Sequence, residues 1–492
     1  MLRRAVITLL VVVSSTLAAG AAQADVSVTS FSLTPSTTKA GSNPDVTVSA
    51  RFSSADNDTP KDATIALAAG LLANPDVATV CSDSDFASDN CPGSSHIGQG
   101  SISGTAYGGA VTIPATIYRV TTQGAEVARI GIIADFFDTP IPITAPVQVR
   151  STPDVGLDIP IDGIPNQIAG GSVQITGLTL TLNGTVDGQS FTRIPTSCSS
   201  ADTTLTIDSY GNPSTGVTAE SSFTPTACDA LHFAPKLTAS VTPDSGDSGI
   251  ALSTDIRQQA GEAATRQVKI ALPASISPRL AALSSGGTVG TATVTTPLLS
   301  APLRGHLVFS ASGLDAVFGP PLNLTIRGTP TITGGALSTT FSSLPDVPIT
   351  DLKVNFAGGP NSLLMESTAA CGDIIGNLGA YNGATAHLVA PLACHEGKPS
   401  AQLKRGHGKH RKLTIMVLAG QNAPAIHSVH VKLPSGLHVA RLTIASGGRG
   451  ATIVIKGHAL RAHRHPHHTV TLVLTVTDAS GTQTQLQLTK LL

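Results

Sequence analysis

The chain has little of what usually fills a large hydrophobic core. It contains no tryptophan, and aromatic residues make up only 3% of its 492 residues. Cores built without large aromatic side chains are filled by small aliphatic ones, so we expect the buried faces to carry Val, Ile, Leu and Ala. Beyond the N-terminus, no apolar run reaches the roughly 20 residues of a membrane-spanning helix, which excludes such a helix from the remaining sequence.

Turn-forming and β-branched residues dominate instead. The 48 glycines and 32 prolines occur with Asn and Asp in clusters that separate short apolar stretches. Apolar and polar residues alternate within these stretches, as in 45–52, 172–182 and 469–478. This alternation is typical of strands with one buried and one solvated face. The sequence therefore predicts an all-β protein of tandem β-sandwich (Ig-like) domains, about three for this length.

The N-terminus has the order of a secretory signal peptide. Arg3 and Arg4 precede the apolar run Ala5–Val13, and the small residues Ala22-Gln-Ala24 follow. The apolar run is shorter than a membrane span, and we expect cleavage between Ala24 and Asp25. Residues 1–24 are thus predicted to be a signal peptide, and the mature protein to be secreted or extracellular, with association with the cell envelope as a further expectation.

Internal repeats divide the rest of the chain. Three phrases recur in the same order: Ile65–Leu71 and Ile270–Ile276, then Ile97–Ser103 and Val289–Thr295, then Ile175–Asn183 and Ile349–Phe356. The repetition predicts two copies of one β-sandwich unit, residues 25–235 and 236–397, with an insertion in the first. Residues 398–412 are expected to be a basic linker, and 413–492 a small basic, His-rich β-sandwich.

The chain has six cysteines, all before the basic linker. In an exported protein they are most simply three disulfides, although six cysteines allow 15 pairings. If the two copies share a fold, their paired cysteines are equivalent, which predicts Cys198–Cys228 and Cys371–Cys394 and leaves Cys81–Cys91. A metal site would need clustered thiolates, which this spacing does not supply.

Several of these phrases resemble a family of large exported, disulfide-bearing β-repeat proteins of high-GC Gram-positive (actinobacterial) bacteria. They are Cys81–Pro92 followed by His96-Ile-Gly98, Pro195–Cys198, Asp208–Pro213 and Cys228–Pro235, with Thr295–Leu299 and Leu344–Pro348 in the second copy. The resemblance covers most of 25–394. It departs at 281–289, where the second copy lacks the first cysteine pair. It implies a disulfide-bearing β-repeat architecture and brings no activity with it.

No catalytic motif stands out. Ser36 and Lys39 have the Ser-x-x-Lys spacing of an activated nucleophile, but they fall in a Pro-flanked turn and not on the helix that this template needs. Gly-x-Ser-x-Gly, His-Glu-x-x-His and phosphate-binding glycine loops are absent from the sequence. We expect a non-enzymatic protein without a cofactor, and an extracellular hydrolase with its site assembled from loop residues is the less favoured alternative.

Two groups of residues could bind metal. His463, His465 and His467 are spaced by two, so their rings share one side of an extended segment and could bind a divalent transition metal. Acidic loop residues, Asp56 to Asp62 and Asp83 to Asp89, offer oxygen ligands of the kind that calcium prefers. Solvated, charged turns are the favoured interpretation of both groups. The acidic loops lack the Gly and Glu that mark an EF-hand loop, and the histidines have no acidic residue nearby to orient their rings.

Positive charge is concentrated at the C-terminal end. Residues 396–492 hold 13 of the 30 Lys and Arg but only two acids, Glu396 and Asp478, whereas 25–395 holds 15 Lys and Arg against 29 acids. Residues 393–492 also hold 11 of the 15 histidines, which ordinarily protonate below about pH 6.5. Nucleic acid is a poor partner, since no aromatic residue follows Tyr381 on which bases could stack.

The charge distribution leads to the expected function. We expect a structural or surface protein of the bacterial envelope, whose basic C-terminal domain binds an anionic envelope polymer or a partner protein. The alternative is an extracellular glycan-, protein- or metal-binding module. A further alternative is that the basic domain docks on the acidic part of the same chain, residues 25–395.

Overall fold

A computed structural model describes residues 26–54, 58–150, 154–168, 170–243, 249–279, 287–299, 301–310, 313–320, 322–333, 336–359, 362–366, 372–392, 398–406, 412–420, 423, 425–457, 460, 469–479 and 481–491. The protein is nearly all β-strand, which confirms the predicted fold class. Strands pair within three stretches, here named the first unit (26–235), the second unit (236–392) and the third unit (398–491). The predicted signal peptide, 1–24, lies outside the described residues.

The first unit contains sixteen strands and four short helices. Its strands are β1 Val26–Pro35, β2 Val46–Ser54, β3 Pro60–Ala66, β4 Leu72–Ala73, β5 His96–Ala106, β6 Gly109–Arg119, β7 Ala128–Phe136, β8 Thr139–Arg150, β9 Gly156–Ile161, β10 Gln167–Ile168, β11 Gly171–Leu182, β12 Thr185–Val186, β13 Gln189–Ser190, β14 Thr192–Arg193, β15 Ala201–Ser209 and β16 Val217–Phe223. The α-helix α1 is Asp83–Ala87, and 3-10 helices are Pro75–Val77, Gly93–Ser95 and Cys228–Ala230.

Eleven of these strands form one long antiparallel sheet in the order β1-β2-β11-β5-β6-β7-β8-β9-β3-β15-β16. The sheet curls until its first and last strands lie side by side, where the backbone N–H of Leu33 donates to Ser221 Oγ at 2.9 Å. Alternate side chains therefore point into an enclosed interior. Around this path, β10 pairs with β11, β4 with β14 and β12 with β13.

The second unit repeats the same path. Its strands are β17 Lys236–Pro243, β18 Gly249–Arg257, β19 Thr265–Ala271, β20 Ile276–Pro278, β21 Gly287–Thr295, β22 Leu303–Ser310, β23 Gly313–Phe318, β24 Leu324–Thr333, β25 Ala336–Phe341, β26 Asp351–Phe356, β27 Leu364–Glu366, β28 Asp373–Ala380 and β29 Thr385–Pro391. The order β17-β18-β26-β21-β22-β23-β24-β25-β19-β28-β29 matches that of the first unit strand for strand, and β17 lies beside β29. The short pair β20-β27 corresponds to β4-β14.

A shared irregularity supports this equivalence. The pairing register shifts between His96 and Gly98 on β5, and between Thr288 and Gly290 on β21. Each shift leaves one extra residue, Ile97 or Val289, which is the definition of a β-bulge. The carbonyl of each bulge residue accepts a backbone N–H at 2.9 Å from the residue that follows the neighbouring strand, Asn183 in one unit and Ala357 in the other.

The third unit is a seven-stranded sandwich. Its strands are β30 Ser400–Arg405, β31 Leu413–Leu418, β32 Ile426–Lys432, β33 Leu437–Ile444, β34 Gly450–Gly457, β35 Thr469–Asp478 and β36 Gln483–Leu491, with a 3-10 turn at Ser446–Gly448. One sheet has the order β30-β31-β34-β33 and the other β32-β35-β36. Lettered A to G in chain order, these are the ABED and CFG sheets of a constant-type Ig domain. Ile415, Ile453, Leu472 and Leu474 are fully buried between them.

The predicted linker, 398–412, is wrong for its first half. Ser400–Arg405 is an edge strand that pairs with β31 along its whole length. The reason is that Ala401 and Leu403 alternate with polar residues and pack against the core of the sandwich. The high proportion of charge in this segment hid a strand of period two.

The first and second units meet through a buried polar junction. Arg193 of the first unit donates to the carbonyls of Ala260 and Glu262 of the second, at 2.9 and 3.2 Å. Asn382 of the second unit donates to the carbonyl of Cys228 at 3.2 Å. Because the acceptors are backbone carbonyls, these hydrogen bonds fix the first and second units relative to each other. No helix in the described part of the chain is long and apolar enough to cross a membrane.

Candidate functional site

Both disulfides predicted for the first unit are formed. Cys81 bonds Cys91 and ties α1 to the end of β6, where Cys81 pairs with Val120, and Cys198 bonds Cys228 across a separation of 30 residues. Disulfides of this kind are typical of proteins that mature in an oxidising compartment. The predicted third pair, Cys371 and Cys394, lies outside the described residues.

The predicted metal ligands His463, His465 and His467 also lie outside the described residues. Within the described part of the chain, no group of three or more His, Cys, Asp or Glu is placed to hold a metal ion. Of the acidic residues considered for calcium, Asp83 and Asp85 lie in α1, and Asp58 and Asp62 accept backbone hydrogen bonds. Asp58 Oδ1 accepts the N–H of Gly211 at 3.0 Å, and Asp62 Oδ1 accepts that of Gly163 at 2.7 Å.

Ser36 and Lys39 lie in the predicted turn after β1. The Ser36 hydroxyl accepts the backbone N–H of Asp45 at 3.1 Å, which closes the turn between β1 and β2. Both side chains are exposed. Their contacts are those of turn residues. That the protein is not an enzyme stays a prediction from the sequence.

The third unit carries a different kind of surface. Core residues occupy the odd positions of β31 and β34, so the even positions point outward from the four-stranded sheet. In one row across this sheet, Lys404 lies opposite Thr414, Thr414 opposite Val454, and Val454 opposite Arg441. In the next outward row, Lys456 lies directly opposite His438. We call this outward surface the basic face.

Simple strand geometry gives the dimensions of the basic face. Neighbouring strands are about 4.8 Å apart, so the backbones of Lys404 and Arg441, on the two outer strands, are about 14 Å apart. Two residues along a strand cover about 7 Å, which separates the Lys456–His438 row from the other row. The four basic side chains therefore lie close together on one small, nearly flat surface.

Nothing neutralises these charges within the sheet. The four strands contain no Asp or Glu. Lys404, His438, Arg441 and Lys456 are exposed, and none forms an ion pair with a described residue of the acidic first and second units. Acids of the first two units are instead used locally, as in Arg129 with Glu126 at 2.6 Å.

Apolar side chains lie beside the charged rows, in the next two outward rows of the same sheet. Met416 is 41% exposed and Leu418 is 52% exposed, both on the outward side of β31. An outward sheet surface that combines unpaired cations with exposed aliphatic groups can contact a partner that has both anionic and aliphatic parts. The sequence predicted that this domain is basic. It did not predict that these residues lie on one surface, because Lys404 belongs to β30, which the sequence pattern assigns to a linker.

No protein-family model matches the chain, and no similar curated protein was found. The resemblance to exported actinobacterial β-repeat proteins therefore stays a prediction.

Proposed function

We propose that this protein is an exported, non-enzymatic component of the bacterial envelope whose third unit binds an anionic envelope polymer. The observation that carries the proposal is the basic face, where Lys404, His438, Arg441 and Lys456 lie together on an acid-free sheet surface. Export is supported by the leader-like sequence of 1–24 and by the two disulfides.

The chemistry suits a repeating anion. Ammonium and guanidinium groups on flexible stems can each contact a phosphate or carboxylate without a shaped pocket. Each exposed contact is weak, so affinity comes from several contacts to one polymer and is screened by salt. Met416 and Leu418 can pack against the aliphatic backbone of such a polymer.

Two double variants of equal charge change test the proposal. Lys404→Glu with Lys456→Glu reverses two charges on the basic face. Lys236→Glu with Lys432→Glu reverses two exposed charges elsewhere, on β17 and on the other sheet of the third unit. Binding of the mature protein to isolated envelopes, and to inorganic polyphosphate as a defined probe, is measured by co-sedimentation and calorimetry.

We expect the first double variant to bind about tenfold more weakly and the second to bind nearly as well as the wild type. Wild-type binding should disappear near 1 M salt, where charges are screened beyond about 3 Å. Equal losses of affinity in both double variants would mean that binding depends on the net charge of the protein and not on the basic face. Binding that survives high salt would contradict the proposal.

A partner protein is the second candidate, supported by β33. Among the described strands it pairs with β34 alone, and its Val439 and Leu442 are 42% and 43% exposed. Exposed apolar edges are surfaces to which another strand can add. In that case Leu442→Asp would abolish capture of the partner, and charge reversal on the basic face would leave it unchanged.

A further inference from the structure

The first and second units share one cavity of about 290 Å³. Its walls in the first unit come mainly from β2, β7, β8 and β9, and its walls in the second unit from β21 to β24 and β26. The cavity is therefore the joined interior of the two curled sheets. Loop residues from both units, among them Leu71, Leu298 and Leu344, line it where the units meet.

Aliphatic side chains make up almost the whole lining. Among the described lining residues, only Arg119, Arg129, Thr192 and Thr296 are polar. Arg119 is committed to Asp76, at 3.0 Å, and Arg129 to Glu126, at 2.6 Å. Thr192 Oγ1 donates to the carbonyl of Pro44, and Thr296 Oγ1 accepts the N–H of Leu298.

This lining selects the class of ligand. A sugar or peptide inside the cavity would give up hydrogen bonds to water and find few partners in return, which is unfavourable. A planar aromatic ligand is favoured where rings can stack on it, and the aromatic residues of the described lining, Phe191, Phe318 and Phe341, stand on different segments among many more aliphatic side chains. A flexible aliphatic chain meets neither obstacle, and it can follow a cavity that passes from one sheet interior into the next.

We propose that the cavity binds one unbranched aliphatic chain, as found in a fatty acid or in the acyl part of a lipid, with its polar head outside the apolar walls. The binding energy comes from removing methylene groups from water, so affinity rises by up to about fourfold for each added CH₂ until the cavity is filled. The proposal is independent of the basic face, which lies on the third unit.

Titration of the mature, full-length protein with cis-parinaric acid, a fluorescent unbranched fatty acid, tests this directly. We expect saturable binding, displaced by palmitate and more than tenfold less well by octanoate. Native mass spectrometry after incubation with palmitate or with phosphatidylglycerol vesicles distinguishes the two sources of the chain, and a complex with either supports the proposal. Absence of saturable parinarate binding by the wild type would overturn it.

A matched pair of variants locates the site. Ala316 lines the cavity and is buried, whereas Ala110 is exposed at the start of β6. Ala316→Phe should weaken parinarate binding at least about tenfold by filling the cavity, and Ala110→Phe should leave it unchanged. Equal affinity of the two variants would overturn the assignment.

A reporter covers the case in which Ala316→Phe does not fold. The chain has no tryptophan, so Phe318→Trp would introduce its sole indole directly into the cavity wall. Palmitate brominated at mid-chain should quench this fluorescence in a saturable way. A folded Phe318→Trp protein that shows no quenching would contradict the proposal.

Discussion

Asp346 of the second unit accepts two hydrogen bonds from Thr196 of the first, from the backbone N–H at 2.7 Å and from Oγ1 at 2.6 Å. The N–H of Ser197 adds a third at 3.2 Å. Asp346 is only 5% exposed, and this burial raises its pKa although its three donors and the nearby Arg193 guanidinium act in the opposite direction. The carboxyl group is thus the central acceptor of the junction between the two units.

Removing this acceptor should destabilise the junction. Asp346→Ala leaves two backbone N–H groups and the Thr196 hydroxyl without their partner in a buried place, which we expect to lower the free energy of unfolding by about 2–5 kcal/mol. Asp229→Ala, which truncates an exposed carboxylate, is the control and should change it by less than about 0.5 kcal/mol. Urea unfolding followed by circular dichroism measures both, and similar values for the two would contradict the assigned role.

The raised pKa of Asp346 also predicts a pH dependence. A carboxyl group whose pKa is higher in the folded state binds its proton more tightly there, so its contribution favours folding most below the unfolded value of about 3.8. That contribution is lost as pH rises from 3.8 through the raised pKa. The stability of the wild type relative to Asp346→Asn, which cannot titrate, should therefore fall over this window. If the difference in stability stayed flat or rose with pH, the pKa of the buried Asp346 carboxyl group would not be raised in the folded state.

Gly98 and Gly290, which directly follow the bulge residues Ile97 and Val289, should respond alike to substitution. A Cβ on Gly98 would overlap the carbonyl oxygen of Thr181, and one on Gly290 that of Asn355. Gly98→Ala and Gly290→Ala should each lower the stability of the protein by about 1–3 kcal/mol. Gly109→Ala is a suitable control, because the nearest atom to its Cβ would be the oxygen of Ala106 at 3.9 Å. Melting temperatures of the three variants decide whether the equivalence holds.

The two described disulfides should differ in their effect on stability. The chain-entropy model gives about 3–4 kcal/mol for the Cys198–Cys228 separation and about 2–3 kcal/mol for the shorter Cys81–Cys91 loop. Replacing each pair by Ala and measuring unfolding in urea tests this order. A larger loss from the Cys81–Cys91 pair would mean that its local contacts with α1 outweigh loop closure.

The third unit should fold by itself. The described buried residues of its core all belong to the third unit itself. Residues 398–492 produced alone should unfold cooperatively and give dispersed NMR spectra. If the isolated segment were unfolded while the full chain retained it folded, contacts with the first two units would have to supply its stability.

Local patterns predicted much of this fold, and long-range pairing accounts for what they missed. Alternation such as Leu472, Leu474 and Val476 correctly indicated strands with one buried face, and the repeated phrases that begin at Ile97 and Val289 lie on equivalent strands, β5 and β21. The sheet path was beyond such patterns, because it depends on partners far apart in the chain, as when Val46 pairs with Leu182.

The cavity was missed for a related reason. Val147 and Leu303 line it, yet in the sequence they look like any other apolar residue of an alternating strand. Whether such a residue packs against a neighbour or borders a void is decided by the curvature of the sheet. On the basic face, Lys404 was recognised as basic but placed in a linker, because a strand of six residues with two adjacent charges gives a weak signal.

The joined interior changes what the duplication means. Each curled sheet is open toward the other, and the aliphatic wall of one unit continues into that of the next. Either copy alone would present a mouth of Leu and Val side chains to water, and so would be prone to aggregate or to pair with another copy. Because each repeat covers the apolar interior of the other, we expect the pair, and neither copy alone, to be the unit that folds and stays dispersed in water.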